Sequence, residues 1–238
     1  MIHLFVFILG CCIGSFVNVI FSRKDWHKGR SRCDNCGYIL KWYDMIPLVS
    51  YLLLRGNCRK CKKKIDAAHF MSELIMGTAF LVSSLSFTKY GIYYGIIISV
   101  ALFFLALAAI EDYKEQMVYS VILNGGIVLT LIAKCVLLKA AGGNTTVFLT
   151  AISVLILKMM AYIASFAFKD KIGAGDFDVF IILYILGEWQ CLLMSVTLGC
   201  IVGCIIYIPQ IILKKRDRKE PLPLIPLLFA GTVCFLLM

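Results

Sequence analysis

Two acids stand where acids are costly. Asp112 closes a long apolar stretch in Ala109-Ile110-Glu111-Asp112-Tyr113, and Asp176 opens another in Gly173-Ala174-Gly175-Asp176-Phe177-Asp178. A carboxylate in or beside hydrocarbon marks a functional site by default. Two that share one site cannot both ionise readily, so one keeps a proton while the other stays basic, an arrangement that activates water against a carbonyl. Helix dipoles break the tie on this reading: Asp112, at a helix C-terminus, keeps the proton, and Asp176, at an N-terminus, is the base. Gly173 and Gly175 let backbone approach backbone, so an extended substrate can pair with their loop as an added strand. The plainer alternatives are a solvated acid for Asp112, a helix cap for Asp176 and a tight turn for the glycines. Asp178 follows Asp176 by two residues and so points elsewhere on a helix.

A second chemistry lies in Cys33-Asp34-Asn35-Cys36 and Cys58-Arg59-Lys60-Cys61. Two CxxC pairs separated by a short insert read as a tetrathiolate zinc site. Their surroundings are too small to fold on an apolar core, so a metal staple makes physical sense. Thiols on the cytosolic side stay reduced, which makes disulfides the weaker reading. The other seven cysteines, at 11, 12, 135, 191, 200, 204 and 234, sit in apolar segments and read as small core residues.

The elements that must position these groups are membrane helices. The chain has 238 residues, of which 61% are hydrophobic, and a mean hydropathy of +0.90. A soluble single-core domain carries about 45–50% apolar residues, so that class is excluded, as is a disordered chain. Eight apolar segments are expected: 2–21, 70–88, 90–110, 117–138, 145–168, 177–187, 189–213 and 221–238. The sixth has only 11 residues, about 17 Å of helix against a hydrocarbon core of about 30 Å. Its flanks must therefore extend it, or the 173–176 loop dips into a protein-lined, hydrated cavity. The first segment has no basic leader and no small-residue exit, so it reads as a retained helix.

Charge sets the orientation. The 22–69 connection holds 12 of the 24 Lys and Arg residues. Alternating helices put 20 of the 24 on one side, which is then cytoplasmic, with both termini outside. The net charge of +10 is read as this topology signal plus attraction to anionic lipid. No aromatic-basic module reads bases, so no nucleic-acid partner is expected. Met45 to Leu54 is too short to span and is expected under the zinc turns or at the membrane interface. Glu73, inside the second segment, is assigned no role beyond hydrogen bonding between helices.

The ordered set of motifs resembles a known family, the type IV prepilin peptidases, which are bacterial inner-membrane aspartic proteases of the GxGD type. Gly14-Ser15-Phe16-Val17-Asn18 is similar to the family's opening helix. Ser31 to Gly37, Trp42 to Pro47 and Leu54 to Cys61 are similar to its cytoplasmic insert. Gly173-Ala174-Gly175-Asp176 matches the GxGD motif, and Leu222-Pro223-Leu224-Ile225-Pro226 is similar to the start of its last helix. The resemblance implies an all-α polytopic membrane protein, with one helix (1–21), a zinc-knuckle insert (22–69) and a seven-helix peptidase domain (70–238). It implies catalytic roles for Asp112 and Asp176, and removal of a short basic leader from a prepilin or pseudopilin, after a glycine at the cytoplasmic face. It further implies methylation of the new N-terminal amine by S-adenosylmethionine.

Two sites, three residues in all, depart from the family pattern. Val118-Tyr119 stand where Ile-Pro usually follows the first aspartate, and Asp178 stands where Lys is frequent. A basic insert should repel a basic leader, and Asp34, Asp44, Asp66, Glu111, Glu115 and Asp170 are the candidates for an offsetting acidic patch. Two other readings are kept: a peptidase whose zinc insert is purely structural, and a transporter with Glu73 and Lys158 on an ion path.

Overall fold

The computed structural model describes residues 1–22, 31–33, 35–140, 142–167, 174–213 and 222–238. Its elements are α1 (Ile2–Ser22), a single 3-10 turn (Trp42–Met45), α2 (Val49–Leu53), α3 (Ala67–Glu115), α4 (Ser120–Ala140), α5 (Asn144–Ala167), α6 (Ala174–Ile212) and α7 (Leu224–Leu237). Five of these helices, α1, α3, α4, α5 and α6, are long and apolar enough to cross a membrane, and α7 is a shorter apolar helix. The protein is an all-α polytopic membrane protein with one small extramembrane insert.

Two helices are bent, which explains the short sixth segment. α3 breaks at Gly91, whose φ of 81° and ψ of 173° suit a residue without a side chain. α6 breaks at Gly187 and Glu188, the latter at φ 55°. The run ending at Gly187 is thus a short helix, 174–187, that meets the next helix directly at the break.

The chain forms two compact units, Met1–Leu81 and Val82–Met238. In the first, α1 lies against the start of α3 at closest range: a Cβ on Gly14 would run into the Ser72 carbonyl. Small residues permit this approach where lipid offers no hydrophobic drive between helices. The contact buries Asn18, Ser72 and Met76, and Asn18 reaches the His69 ring. Glu73 is buried here as well. It accepts the Leu48 N–H at 2.7 Å and bonds the Ser15 hydroxyl of α1. The bond between helices expected for Glu73 is therefore present, and a second bond ties the insert down at Leu48, a non-glycine residue held at φ 58°. α2 turns Tyr51 onto Phe70, with ring centroids 5.2 Å apart. It leaves Val49, Leu52 and Leu53 exposed, the disposition of a short interfacial helix.

In the second unit the 92–115 arm of α3 is central. Ile98, Ala101, Leu102, Leu105, Ala106, Ala108, Ala109 and Ile110 are all buried, so this stretch forms the centre of the unit, while Ile92, Tyr93, Tyr94 and Ile96 at the start of the arm are exposed. α7 runs antiparallel to it. At one end the Leu236 carbonyl accepts from Lys89 and Tyr90, each at 3.3 Å. At the other end the Ile225 N–H donates to Asp112. α5 presents Phe148, Leu149, Leu155, Ile156, Met159 and Tyr162 outward, an apolar face suited to lipid.

Candidate active site and metal centre

Consecutive residues on a helix diverge, and the two acids ending α3 do so to different partners. The Asp112 carboxylate accepts the Ile225 N–H at 3.0 Å. α7 opens on Pro223, whose side chain supplies no cap, and Asp112 meets that need from 113 residues away in sequence. The dipole argument that lodged a proton on Asp112 considered α3 alone. The N-terminus of α7 points at the same carboxylate with the opposite polarity, so that argument no longer separates the two acids.

Glu111 is 4% exposed and faces α4. Its Oε2 accepts the Tyr119 N–H at 3.2 Å, just before α4 begins. Its Oε1 is buried with no hydrogen-bond partner among the described residues. The sequence offered Glu111 only as one candidate for an acidic patch and gave no sign of this contact. That patch needs correcting twice: Asp44 and Glu111 are both buried, Asp44 because it is paired with Arg59. Asp66 and Glu115 are exposed, while Asp34 and Asp170 lie outside the described residues.

Asp176 sits half-buried in the first turn of α6, inside the helix rather than at its cap. Gly173 lies outside the described residues. Gly175 is placed against the start of α4: a Cβ there would stand 3.3 Å from Leu123 Cδ1 and 4.0 Å from Val118 Cβ. The residue before Asp176 therefore lies beside the first turn of α4 and within a side chain's reach of the turn that follows Asp112.

Asp178 is indeed turned away to other partners. It pairs with Lys158 of α5, and the same Lys158 Nζ donates to Asn124 Oδ1 of α4 at 2.9 Å. Three helices are thus tied one half-turn beyond Asp176. The acid that replaces a frequent lysine finds its cation on the preceding helix, 20 residues earlier.

The four cysteines converge, and their sulfurs all lie within 4.8 Å of one another. Each pair is carried by the same tight turn. Gly37 and Lys62 donate N–H to the Cys33 and Cys58 carbonyls at 2.9 and 3.0 Å, and both adopt positive φ, 66° and 57°. Zn–S bonds of about 2.3 Å in a tetrahedron put sulfurs about 3.8 Å apart; Cys33 and Cys61 Sγ are 3.9 Å apart. The donor set fits a tetrahedral thiophilic ion. The Lys63 N–H pulls the Cys61 thiol down to about 6, and the N–H groups of Cys36 and Asn35 lower Cys33. Cys36 receives the Tyr38 N–H, but burial and the neighbouring sulfurs outweigh it and push that thiol up to about 11. Beneath the turns, Asp44 accepts from Arg59 Nε at 2.8 Å and from Tyr38 and Lys41 at 3.3 Å, while Arg59 stacks on the Tyr43 ring at 5.0 Å.

With this geometry in place, comparison with known proteins is decisive. Residues 99–208 match the type IV leader peptidase family, and residues 8–87 match the bacterial peptidase A24 N-terminal domain. The chain belongs to the type IV leader peptidase family. The catalytic-family match contains Asp112, Glu111, Asp176 and Asp178, and the N-terminal match contains all four clustered cysteines. Among relatives, a prepilin leader peptidase/N-methyltransferase of Myxococcus xanthus is 30% identical over 89% of this chain and 64% of its own length. One of Stutzerimonas stutzeri is 26% identical over 96% of this chain and 88% of its own. A type 4 prepilin-like proteins leader peptide-processing enzyme of Escherichia coli is 26% identical, covering 89% and 86%. The chain thus spans about two thirds of the Myxococcus protein and most of the other two. No solved structure matches it.

Proposed function

We propose that this peptidase-family chain removes the leader of a type IV prepilin or pseudopilin at the cytoplasmic face of the bacterial inner membrane, with Asp112 and Asp176 as its catalytic pair. The observation that carries this reading is the seating of Gly175 against the turn after Asp112. It links the segments bearing the two acids in space although 64 residues separate them in sequence.

The pair holds one proton between two carboxylates. One removes a proton from water as it adds to the scissile carbonyl and passes that proton to the leaving amine; the other donates its proton to the carbonyl oxygen and recovers it as the tetrahedral intermediate collapses. Both acids sit at helix starts, Asp176 in α6 and Asp112 at α7, and these offer N–H groups to whichever oxygen carries charge. On this reading the cut falls after a glycine, the 22–69 insert is cytoplasmic and both termini lie outside. The lysine-rich connections support that sidedness. Residues 70–238 form the peptidase domain.

The names of the relatives support a second activity, methylation of the new N-terminal amine with S-adenosylmethionine as donor. Cys33, Cys36, Cys58 and Cys61 would hold a structural zinc ion that fixes the insert. Incubating the purified protein with a prepilin and labelled S-adenosylmethionine tests both steps. Leader loss with label on the new N-terminus is the expected result. Leader loss without label leaves a peptidase with a structural insert, and intact prepilin refutes the assignment.

A further inference from the structure

The turn between α3 and α4 is pinned at both ends. At its start the Gln116 N–H reaches back to the Asp112 carbonyl at 3.0 Å, with Gln116 at φ 53°. At its end Tyr119 opens α4, its carbonyl accepting the Ile122 N–H at 2.9 Å, and its own N–H is taken by Glu111 Oε2. No helix ladder reaches that N–H, since it lies one residue before the helix. Without Glu111 it would lose its acceptor within the protein and be left to solvent, since Tyr119 is exposed. The same turn carries Val118 to Gly175, and the first turn of α4 carries Leu123 there.

We infer that Glu111 is a positioning residue for the peptidase reaction. By holding the Tyr119 N–H it sets the α3–α4 turn against Gly175, and so fixes the spacing between the segments that carry Asp112 and Asp176. The inference rests on the catalytic pair proposed above. It also explains how the chain tolerates tyrosine at position 119. A proline there would have no N–H to satisfy; tyrosine has one, and the buried acid nine-tenths hidden behind it supplies the acceptor.

The chemistry specifies its own test. Glu111→Leu leaves the Tyr119 N–H without a partner, and Tyr119→Pro leaves the Glu111 carboxylate without one. The double variant removes donor and acceptor together. Glu111→Gln keeps an oxygen that can accept. The full-length protein in detergent is assayed for release of a prepilin leader, with kcat and KM separated and thermal unfolding measured on each variant. Glu111→Leu is expected to lower kcat about ten- to hundredfold with KM little changed, the scale of one lost hydrogen bond to a carboxylate. Glu111→Gln is expected within about threefold of the parent, and Glu111→Leu/Tyr119→Pro to recover at least about tenfold over Glu111→Leu.

Wild-type kcat in Glu111→Leu overturns the inference, as does a double variant no faster than Glu111→Leu. If Glu111→Gln is as inactive as Asp112→Asn, Glu111 moves a proton itself and the positioning role is wrong. Should Glu111→Leu fail to fold, the glutamine and double variants still decide. Cleavage by Asp112→Asn at the parent rate would instead strike the catalytic pair, while the Glu111–Tyr119 coupling would persist in the unfolding temperatures.

Discussion

Replacing Lys158 by methionine tests whether a charge network inside the helices holds α6 in place. The substitution keeps the length and apolar stem and deletes the ammonium that serves Asp178 and Asn124. An exposed ion pair is worth about 0–1 kcal/mol, whereas severing a buried one costs about 3–5 kcal/mol, because a charge is left behind without compensation. The side chain of Asp178 is 13% exposed and that of Lys158 39%, so the loss falls between those limits, about 2 kcal/mol. For a chain of this size that lowers the unfolding temperature by about 4–8 °C. Asp178 is two residues from Asp176, and misplacing a catalytic group by about 1 Å can cost about a hundredfold. Leader cleavage is therefore expected to fall at least about tenfold. Lys158→Met/Asp178→Leu removes the stranded charge and should regain the lost stability, since apolar replacement of a buried pair is often neutral. Exchanging the charges, Lys158→Asp with Asp178→Lys, should restore cleavage in part. Thermal unfolding of the detergent-solubilised protein and a leader-release assay read both quantities. Parent-like values for Lys158→Met, or a double variant no more stable than the single one, would refute the reasoning.

Other perturbations have definite outcomes. Cys33→Ser or Cys58→Ser should take bound zinc from one equivalent to none by elemental analysis, and should open the 31–65 segment to proteolysis. Burial desolvates Asp44, but its hydrogen bonds from Arg59, the Lys41 N–H and Tyr38, with the Arg59 charge, together outweigh this and hold the carboxyl below its usual range. Its contribution is therefore present at neutral pH and is lost as pH falls through and below the ordinary carboxylate range. Asp44→Asn should make the insert at pH 7 resemble the parent in acid, measured by proteolytic susceptibility at each pH. Gly175→Ala would press a methyl group against the fully buried Leu123, so cleavage should fall several-fold and be recovered by Leu123→Val. A pilin already shorn of its leader should accept labelled methyl from Asp112→Asn as readily as from the parent; failure there would tie methylation to the peptidase site.

What could be seen in the sequence was whatever depends on local spacing. Apolar runs fixed the helices, because each must bury or present its side chains to lipid over a set length. The segments 70–88 and 90–110 were separated at Lys89, and α3 breaks two residues further on, at Gly91. Two CxxC pairs announced the four-sulfur cluster, since two-residue spacing already brings each pair onto one turn. The remainder arises from contacts between distant segments. Glu73 reaching the backbone of Leu48, Lys158 answering Asp178, and Asp112 capping α7 across 113 residues leave no periodic trace. The helix that points at Asp112 was invisible for the same reason, and only the dipole of the helix that bears the residue could be weighed. Glu111 was grouped with other acids because its partner lies eight residues on, beyond a turn the sequence does not describe. Only the fold reveals that a backbone N–H waits for it at Tyr119.

Mass spectrometry of a prepilin N-terminus after exposure to the parent protein, to Asp112→Asn and to Asp176→Asn probes the catalytic pair most directly. The parent should yield a pilin trimmed after one glycine, and each variant should leave the full leader in place while remaining folded and metal-loaded. Trimming at the same glycine by either variant, at a rate near the parent's, would mean that these carboxylates do not perform the reaction.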